Sequence, residues 1–358
     1  MILMKVAVIG GGINGLASAW KLAQDGHQVT LFERNELMRA TSQASSKLLH
    51  GGLRYLENGE IGLVREALAE RTRWFERAPH LARPLPMLYP IFKSGRRSRW
   101  MIAAGLWLYR LLSLSANMPA PRWLSKDEVV NLQPSLKADG LIGGYLFHDG
   151  QMDDYALGMW VAEQCRSAGV EIFENRPVQK ILTDGGLETQ DGQHFQFDRI
   201  VNVAGPWAEK LLQQSGIKSP VQLDLVRGSH LIVNRICDQA YLLEVPEGRR
   251  IFFVLPWKGK TMIGTTEVRQ ELEDPVRSSG EEISYLLKAY NHWMAIPLSE
   301  QDVIETFAGV RPLLSSADDP SRVTREYAIR RDGLIVNVFG GKWTTCCALA
   351  DKVATALS

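Results

Sequence analysis

The chain has 358 residues, with 41 Lys and Arg against 40 Asp and Glu and a formal net charge of +1. It is longer than a single core usually grows, so two domains are expected. Its near-neutrality excludes the strong basic bias of a nucleic-acid binder, so any cationic site must be a local cluster. Four cysteines, Cys165, Cys237, Cys346 and Cys347, show no metal-ligand spacing; no metal site is expected and the thiols suit a reducing compartment.

The N-terminus runs straight into an apolar strand, without the charged and apolar regions of a leader, so no signal peptide is expected. Lys5–Arg34 organises the rest. A β-branched run, Val6–Ile9, is followed by Gly10, Gly12 and Gly15 in the spacing G-x-G-x-x-G, a helical pattern over Leu16–Gln24, a stop at Asp25-Gly26 and a second strand, Gln28–Phe32, ending on Glu33. Gly10 allows the turn, Gly12 lets backbone N–H groups approach a pyrophosphate, and Gly15 lets the helix pack close to the sheet. The helix N-terminus favours the anion, and Glu33 is placed to accept hydrogen bonds from a ribose. Gly10, Gly12, Ile13, Asn14, Gly15, Glu33 and Arg34 are therefore candidate contacts to a dinucleotide. The motif alone does not separate FAD from NAD.

Thr41, Ser42, Ser45 and Ser46 form a tract of small hydroxyl residues suited to a loop along phosphates and a ribityl chain. Lys47, His50 and Arg54 follow three or four residues apart and are expected to share a helical face; Lys47, Leu48 and His50 join the candidate cofactor contacts, and Tyr55 lies in the same stretch. Ile61–Ala78 is amphipathic at helical period. Pro79–Pro90 is proline-rich and is expected to break regular structure. Arg96, Arg97 and Arg99 lead into the apolar run Trp100–Leu114, too short to span a bilayer. That pair of features reads either as a membrane-surface segment or as a buried helix of the second domain with a solvated basic lead-in.

Gly140–Phe147 is expected to be a strand and Met152–Ala168 a helix. Val170–Phe173 and Pro177–Leu182 are strands, the second placing backbone near Val178 against an adenine edge, and Leu187–Gln196 suggests a small hairpin. Ile200–Ala204 is a buried-type strand ending in Gly205-Pro206-Trp207, which again lets backbone approach a nucleotide; Ala204, Gly205 and Trp207 join the candidates. Val221–Val233 and Ile251–Thr266 alternate like strands of a mixed or antiparallel sheet, with a helix over Ser278–Trp293. Ile304–Gly309 and a short strand from Thr324 to Tyr327 follow. Leu334–Phe339 ends in Gly340-Gly341-Lys342-Trp343-Thr344-Thr345 and enters a last helix, Cys346–Leu357, repeating the opening pattern of strand, glycines and helix.

These residues resemble the FAD-dependent glycerol-3-phosphate dehydrogenase family, within the D-amino-acid-oxidase-like flavoproteins. The matching stretches are VIGGGINGLA, ATSQASSKLLHGGLRYLE, EALAER, APHLA, NVAGPWA, RGSHLIV, VLPW, IGTTE, AGVRPL, VTREY and FGGKWTT, in the family's order across nearly the whole chain. The resemblance implies non-covalent FAD, oxidation of sn-glycerol 3-phosphate to dihydroxyacetone phosphate, electron transfer to a quinone or to oxygen, and a cytoplasmic protein peripheral to the inner membrane. Bacterial members usually continue into a C-terminal helical domain, whereas this sequence stops one helix after FGGKWTT and reads as a short form. Cys346-Cys347 stands where a Tyr-Arg pair is common. These departures keep two alternatives open: oxidation of another small anionic 2-hydroxy acid, or a flavoprotein subunit that needs a partner.

The expected fold is α/β, a Rossmann-like FAD-binding domain (1–83, 141–220 and 300–358) interleaved with a mixed or antiparallel-sheet substrate domain (84–140 and 221–299). A glycerol phosphate carries nearly two negative charges and calls for converging cations. Arg54, Arg311, Arg325 and Lys342 are the candidates, Arg54 and Arg325 being assigned to the phosphate, with Tyr55 beside them. The proton on the reacting hydroxyl suits a neutral imidazole: His50 is preferred over His230, and Arg311 would stabilise the developing alkoxide. Gly341, Lys342, Trp343 and Thr344, at the start of the last helix, would face the edge of the flavin that becomes anionic on reduction.

Overall fold

The computed structural model describes residues 3–113, 118–234, 239–248, 250–315 and 327–357, and of Arg54 only the backbone. Lys5–Ile9 pairs in parallel with Gln28–Phe32 on one side and with Arg199–Asn202 on the other. Glu171–Phe173 and Ile335–Phe339 extend this parallel array, and Ala328–Asp332 closes it as an antiparallel edge, giving six strands. On one face Val6 and Val8 pack against Leu16, Leu22, Val161, Cys165, Leu349 and Val353 of the helices Ile13–Gln24, Asp154–Ser167 and Cys346–Leu357. On the other, Ala7, Ile9 and Phe32 meet Ile181, Leu187 and Leu211, from a three-stranded antiparallel sheet and the helix Ala208–Gln214. Coverage on both faces explains why these strands read as unbroken apolar runs.

A second, larger mixed sheet lies beside the first. Its central strands are Ala82–Phe92, Leu141–Met152, Leu223–Val233, Ala240–Glu244, Ile251–Trp257 and Lys260–Gly264; Val303–Leu314 pairs with Leu223–Val233 and Arg122–Ser125 with Leu141–Met152. The helix Gly280–Trp293 buries Leu286, Leu287, Tyr290 and Trp293 in the core cluster that this sheet shares with Leu231, Val254 and Ile263. Leu141–Met152 and Val303–Leu314 hydrogen-bond into this sheet, although the sequence reading grouped both with the nucleotide-binding part.

Two expectations need correction. Pro79–Pro90 does not interrupt regular structure: Ala82–Phe92 is a strand paired along its length with Leu141–Met152. Pro84, Pro86 and Pro90 have the same parity, so their missing N–H groups fall on one edge and the opposite edge keeps its ladder. Lys47, His50 and Arg54 do not share a helical face. Lys47 has φ of 57°, Leu48–Leu49 pairs with Gly150 and Gln151, and only Leu53–Asn58 turns, as a 3₁₀ helix. The strand Ala240–Glu244 was not foreseen. The expected strand from Thr324, together with Arg325 and Cys237, lies outside the described residues.

The helix Arg99–Leu112 is neither wholly buried nor wholly exposed. Ile102, Leu106 and Tyr109 face inward, while Trp100, Trp107 and Leu111 are 68%, 56% and 59% exposed. No described helix is long and apolar enough to cross a membrane.

Candidate active site

One cavity of about 700 Å³ runs from the first glycine turn to the larger sheet. At its phosphate end, Gly10 adopts φ of 116°, and a Cβ there would lie 2.5 Å from the Val203 carbonyl oxygen; a Cβ on Gly15 would lie 1.8 Å from that of Gly10. The helix therefore starts hard against the strand, aiming its first-turn N–H groups into the cavity. Ser42 Oγ accepts one of these, from Ile13, at 3.0 Å. Asn14 lines the wall, and its Oδ1 is buried without a hydrogen-bond partner among the described residues.

Glu33 is fixed at the end of the second strand. One carboxylate oxygen accepts from the Gly11 N–H at 2.6 Å and the other from that of Asn35 at 3.0 Å. The Arg34 guanidinium lies 3.5 Å above the centre of the Trp207 ring, and burial pulls its pKa below the usual arginine value. Val178, Ala204 and Gly205 line the same end. Lys210, absent from the sequence reading, also reaches this end, where it pairs with Glu273 at 2.7 Å; a lysine on a short amphipathic helix gave no local signal.

The hydroxyl tract is tied to distant parts of the chain. Thr41 Oγ1 donates to the Val310 carbonyl at 2.8 Å, and Trp343 Nε1 donates to that of Ser42 at 3.0 Å. Thr41, Ser42, Ser45, Ser46 and Leu48 line the cavity, as do Gly341, Lys342, Trp343 and Thr344. Lys47 departs from its expected place: its ammonium turns away into a buried pair with Asp154, at 2.7 and 2.9 Å. Ser45 Oγ donates to the same carboxylate at 2.7 Å. Burial pushes the Asp154 carboxyl above its usual range, against the pull of Lys47.

At the larger sheet, Arg311 sits opposite Val226 on the paired strands. It donates to the Thr266 carbonyl at 2.7 Å and meets Glu267 at 3.4 Å, whose second oxygen lies 3.2 Å from Arg250 Nε. Gly228 leaves the space, since a Cβ there would lie 2.3 Å from Arg311 Nη2. Lys342 Nζ stands 4.0 Å above the Tyr55 ring. The cavity thus collects Arg311, Lys342, Tyr55, His50 and His230, while the Arg54 side chain and Arg325 lie outside the described residues. Phe253 and Thr265 complete this wall; neither was singled out in the sequence, although Thr265 falls in the IGTTE stretch.

The two histidines differ. His230 is 3% exposed, stacks on Phe307 with ring centroids 4.7 Å apart, and shares a 2.9 Å hydrogen bond between its Nε2 and Ser46 Oγ. Burial, reinforced by Arg311 and Lys47, pushes its pKa down to about 3, which favours the neutral ring. His50 is partly exposed in the same cavity, and its carbonyl accepts from Thr344 Oγ1 at 3.4 Å.

The polarity of the walls suits an elongated nucleotide: helix N–H groups and hydroxyls in the middle, a carboxylate near one end, cations at the other. Residues 5–356 match the profile of the FAD dependent oxidoreductase family.

The chain belongs to this family.

Its cofactor is FAD. Among curated relatives, the chain is 38% identical to a glycerol-3-phosphate dehydrogenase of Pseudomonas aeruginosa, over 98% of its own length and 71% of the relative's. It is 36% identical to the aerobic glycerol-3-phosphate dehydrogenase of Escherichia coli (98% and 72%) and to a D-erythritol 1-phosphate dehydrogenase of Brucella abortus (96% and 72%). Among solved structures, a glycerol-3-phosphate dehydrogenase from Bacillus halodurans complexed with FAD superposes with a TM-score of 0.79 at 26% identity. That match covers 99% of this chain and 64% of the other, so the chain spans under two thirds of that protein. The flavoprotein fold and the resemblance read from the sequence are both borne out.

Proposed function

We propose that this flavoprotein oxidises sn-glycerol 3-phosphate to dihydroxyacetone phosphate and passes the electrons to a quinone or another acceptor. The observation that carries this reading is the convergence of Arg311, Lys342 and His50 on one cavity that also contains the dinucleotide turn. The names of the relatives support it.

Held without a covalent bond, FAD supplies the acceptor for the hydride that leaves substrate carbon 2. The chain does the rest. The backbone from Gly10 to Gly15 holds the pyrophosphate, with Ile13 and Asn14 in its first turn. Glu33, Arg34, Val178, Ala204, Gly205 and Trp207 hold the adenosine end. Thr41, Ser42, Ser45, Ser46 and Leu48 flank the ribityl chain. Gly341, Lys342, Trp343 and Thr344 present N–H dipoles to the edge that gains charge.

Arg311 polarises the carbon-2 hydroxyl, and His50 takes its proton. Lys342 and Tyr55 shape the phosphate end, with Arg54 and Arg325 as the arginines proposed there. His230, whose buried ring resists protonation, orients Ser46 in this reading and leaves the proton to His50. Lys47 acts through Asp154, holding the hydroxyl tract in place.

Anaerobic addition of glycerol 3-phosphate is expected to bleach the flavin absorbance within seconds. Bleaching by lactate-like acids and not by the phosphate ester would overturn the reading in favour of a 2-hydroxy-acid oxidoreductase. D-Erythritol 1-phosphate belongs in the same panel because a 36%-identical relative is named for it. Reduction without turnover on an artificial dye would point to a subunit that needs a partner.

A further inference from the structure

The EALAER stretch has no part in the cavity wall, yet its last residue, Arg71, is 1% exposed. Its guanidinium donates to Asp149 Oδ1 at 2.7 Å and to Ser113 Oγ at 3.0 Å. The other Asp149 oxygen accepts from Tyr109 Oη at 2.9 Å, and Tyr109 Oη in turn accepts from the Gly51 N–H at 2.7 Å. All five groups are buried. Ionising Tyr109 is strongly disfavoured by burial and by Asp149, so its proton stays and the direction of each bond is fixed. The chain runs from Gly51 N–H to Tyr109, from Tyr109 to Asp149, and from Arg71 to Asp149.

A buried ion pair is a poor source of net stability, because desolvation offsets most of the attraction. Its geometry here has a more specific consequence. The peptide between His50 and Gly51 is held at both ends: Tyr109 takes its N–H, and Thr344 donates to its carbonyl at 3.4 Å. That fixes the plane from which the His50 side chain departs. Gly51 permits the approach, since a Cβ there would lie 2.4 Å from Leu68 and 2.6 Å from Tyr109 Oη. Gly52, at φ of 76°, turns the chain away immediately afterwards.

We propose that Tyr109, fixed by the Asp149–Arg71 pair, is a positioning residue that sets the orientation of His50 for proton removal. The inference rests on the reading of His50 given above. It assigns a purpose to a helix, Arg99–Leu112, that otherwise lies behind the site: its inner face carries the group that aims the proposed base.

Tyr109→Phe removes one oxygen at almost constant volume. In the FAD-loaded enzyme it is expected to lower kcat for glycerol 3-phosphate about tenfold or more, with KM within about threefold and flavin content retained, because misplacement of a catalytic group by an ångström is costly. In a His50→Ala background the same change is expected to have almost no further effect. Amide exchange in residues 48–55 should quicken about tenfold as Gly51 loses its acceptor. Unchanged kcat, or an equal loss in both backgrounds, would overturn the proposal. If glycerol 3-phosphate fails to reduce the wild-type flavin, the functional reading falls, and unchanged exchange in 48–55 then overturns the positioning role independently. Should Tyr109→Phe not fold, Ser113→Ala loosens the Arg71 end of the same network without touching the cavity and carries the same cycle.

Discussion

Lys47 and Asp154, 107 residues apart in sequence, form a buried ion pair with Nζ 2.7 Å from Oδ1. Lys47 also donates to the Gln43 carbonyl, and Ser45 donates to Asp154 through both backbone and hydroxyl. One carboxylate at the start of a core helix therefore organises the hydroxyl tract on the cavity wall. Asp154→Ala would leave the Lys47 ammonium buried without its counter-charge. The expected cost is about 3–5 kcal/mol of stability, with loss of bound flavin. Thermal unfolding and the ratio of flavin to protein absorbance check both, and retention of full flavin content would count against this account.

His230 gives a pH prediction whose sign follows from its burial. Its folded pKa, about 3, lies below the ordinary histidine value near 6.5. The unfolded chain therefore binds the extra proton first. Stability contributed by the neutral ring is full above about pH 6.5 and declines as the pH falls toward 3. Between pH 7 and pH 5 the loss from this one group is about 2 kcal/mol. His230→Gln removes it, so denaturant unfolding at the two pH values should show a smaller difference in the variant. Equal differences in both proteins would place the titration elsewhere.

Arg311 is held by the Thr266 carbonyl at 2.7 Å and by Glu267, which also pairs with Arg250. A cation fixed in this way is expected to stabilise charge developing on the substrate oxygen more than it aids ground-state binding. Arg311→Ala should slow anaerobic flavin reduction about 100-fold. Arg311→Lys should recover only part of the loss, because an ammonium cannot reproduce the planar fork. Stopped-flow absorbance distinguishes these outcomes, and a variant altered in KM alone would move Arg311 to a binding role.

The outer face of Arg99–Leu112 presents Trp100, Trp107 and Leu111, with Arg99 stacked 4.3 Å from the Trp100 ring centre. Aromatic and aliphatic groups beside arginines suit the interface of an anionic bilayer. We propose that this face meets the membrane surface from which a quinone would be reached. Co-sedimentation with vesicles containing phosphatidylglycerol should fall at least about fivefold in a Trp107→Ser, Leu111→Ser double variant with flavin reduction intact. Equal sedimentation of the two proteins would remove this helix from any lipid contact.

The opening strand, its three glycines, the following helix and Glu33 were legible in the sequence because they depend on neighbours only: a tight turn needs glycine, and a strand covered on both faces must be apolar throughout. The last helix, Cys346–Leu357, was found with its bounds for the same reason. The strand Ala82–Phe92 was missed because its prolines look disruptive until their common edge is known. Lys47 resembled a cofactor ligand until its pair with Asp154 was seen, and His230 resembled His50 until its burial against Phe307 set the two apart. Spacing along the chain fixes where backbone turns and where N–H groups gather, since those are short-range steric matters. Whether a lysine meets a phosphate or a carboxylate, and whether an imidazole takes up a proton, depends on charge and burial supplied by residues far away in sequence, which only the packed molecule brings together.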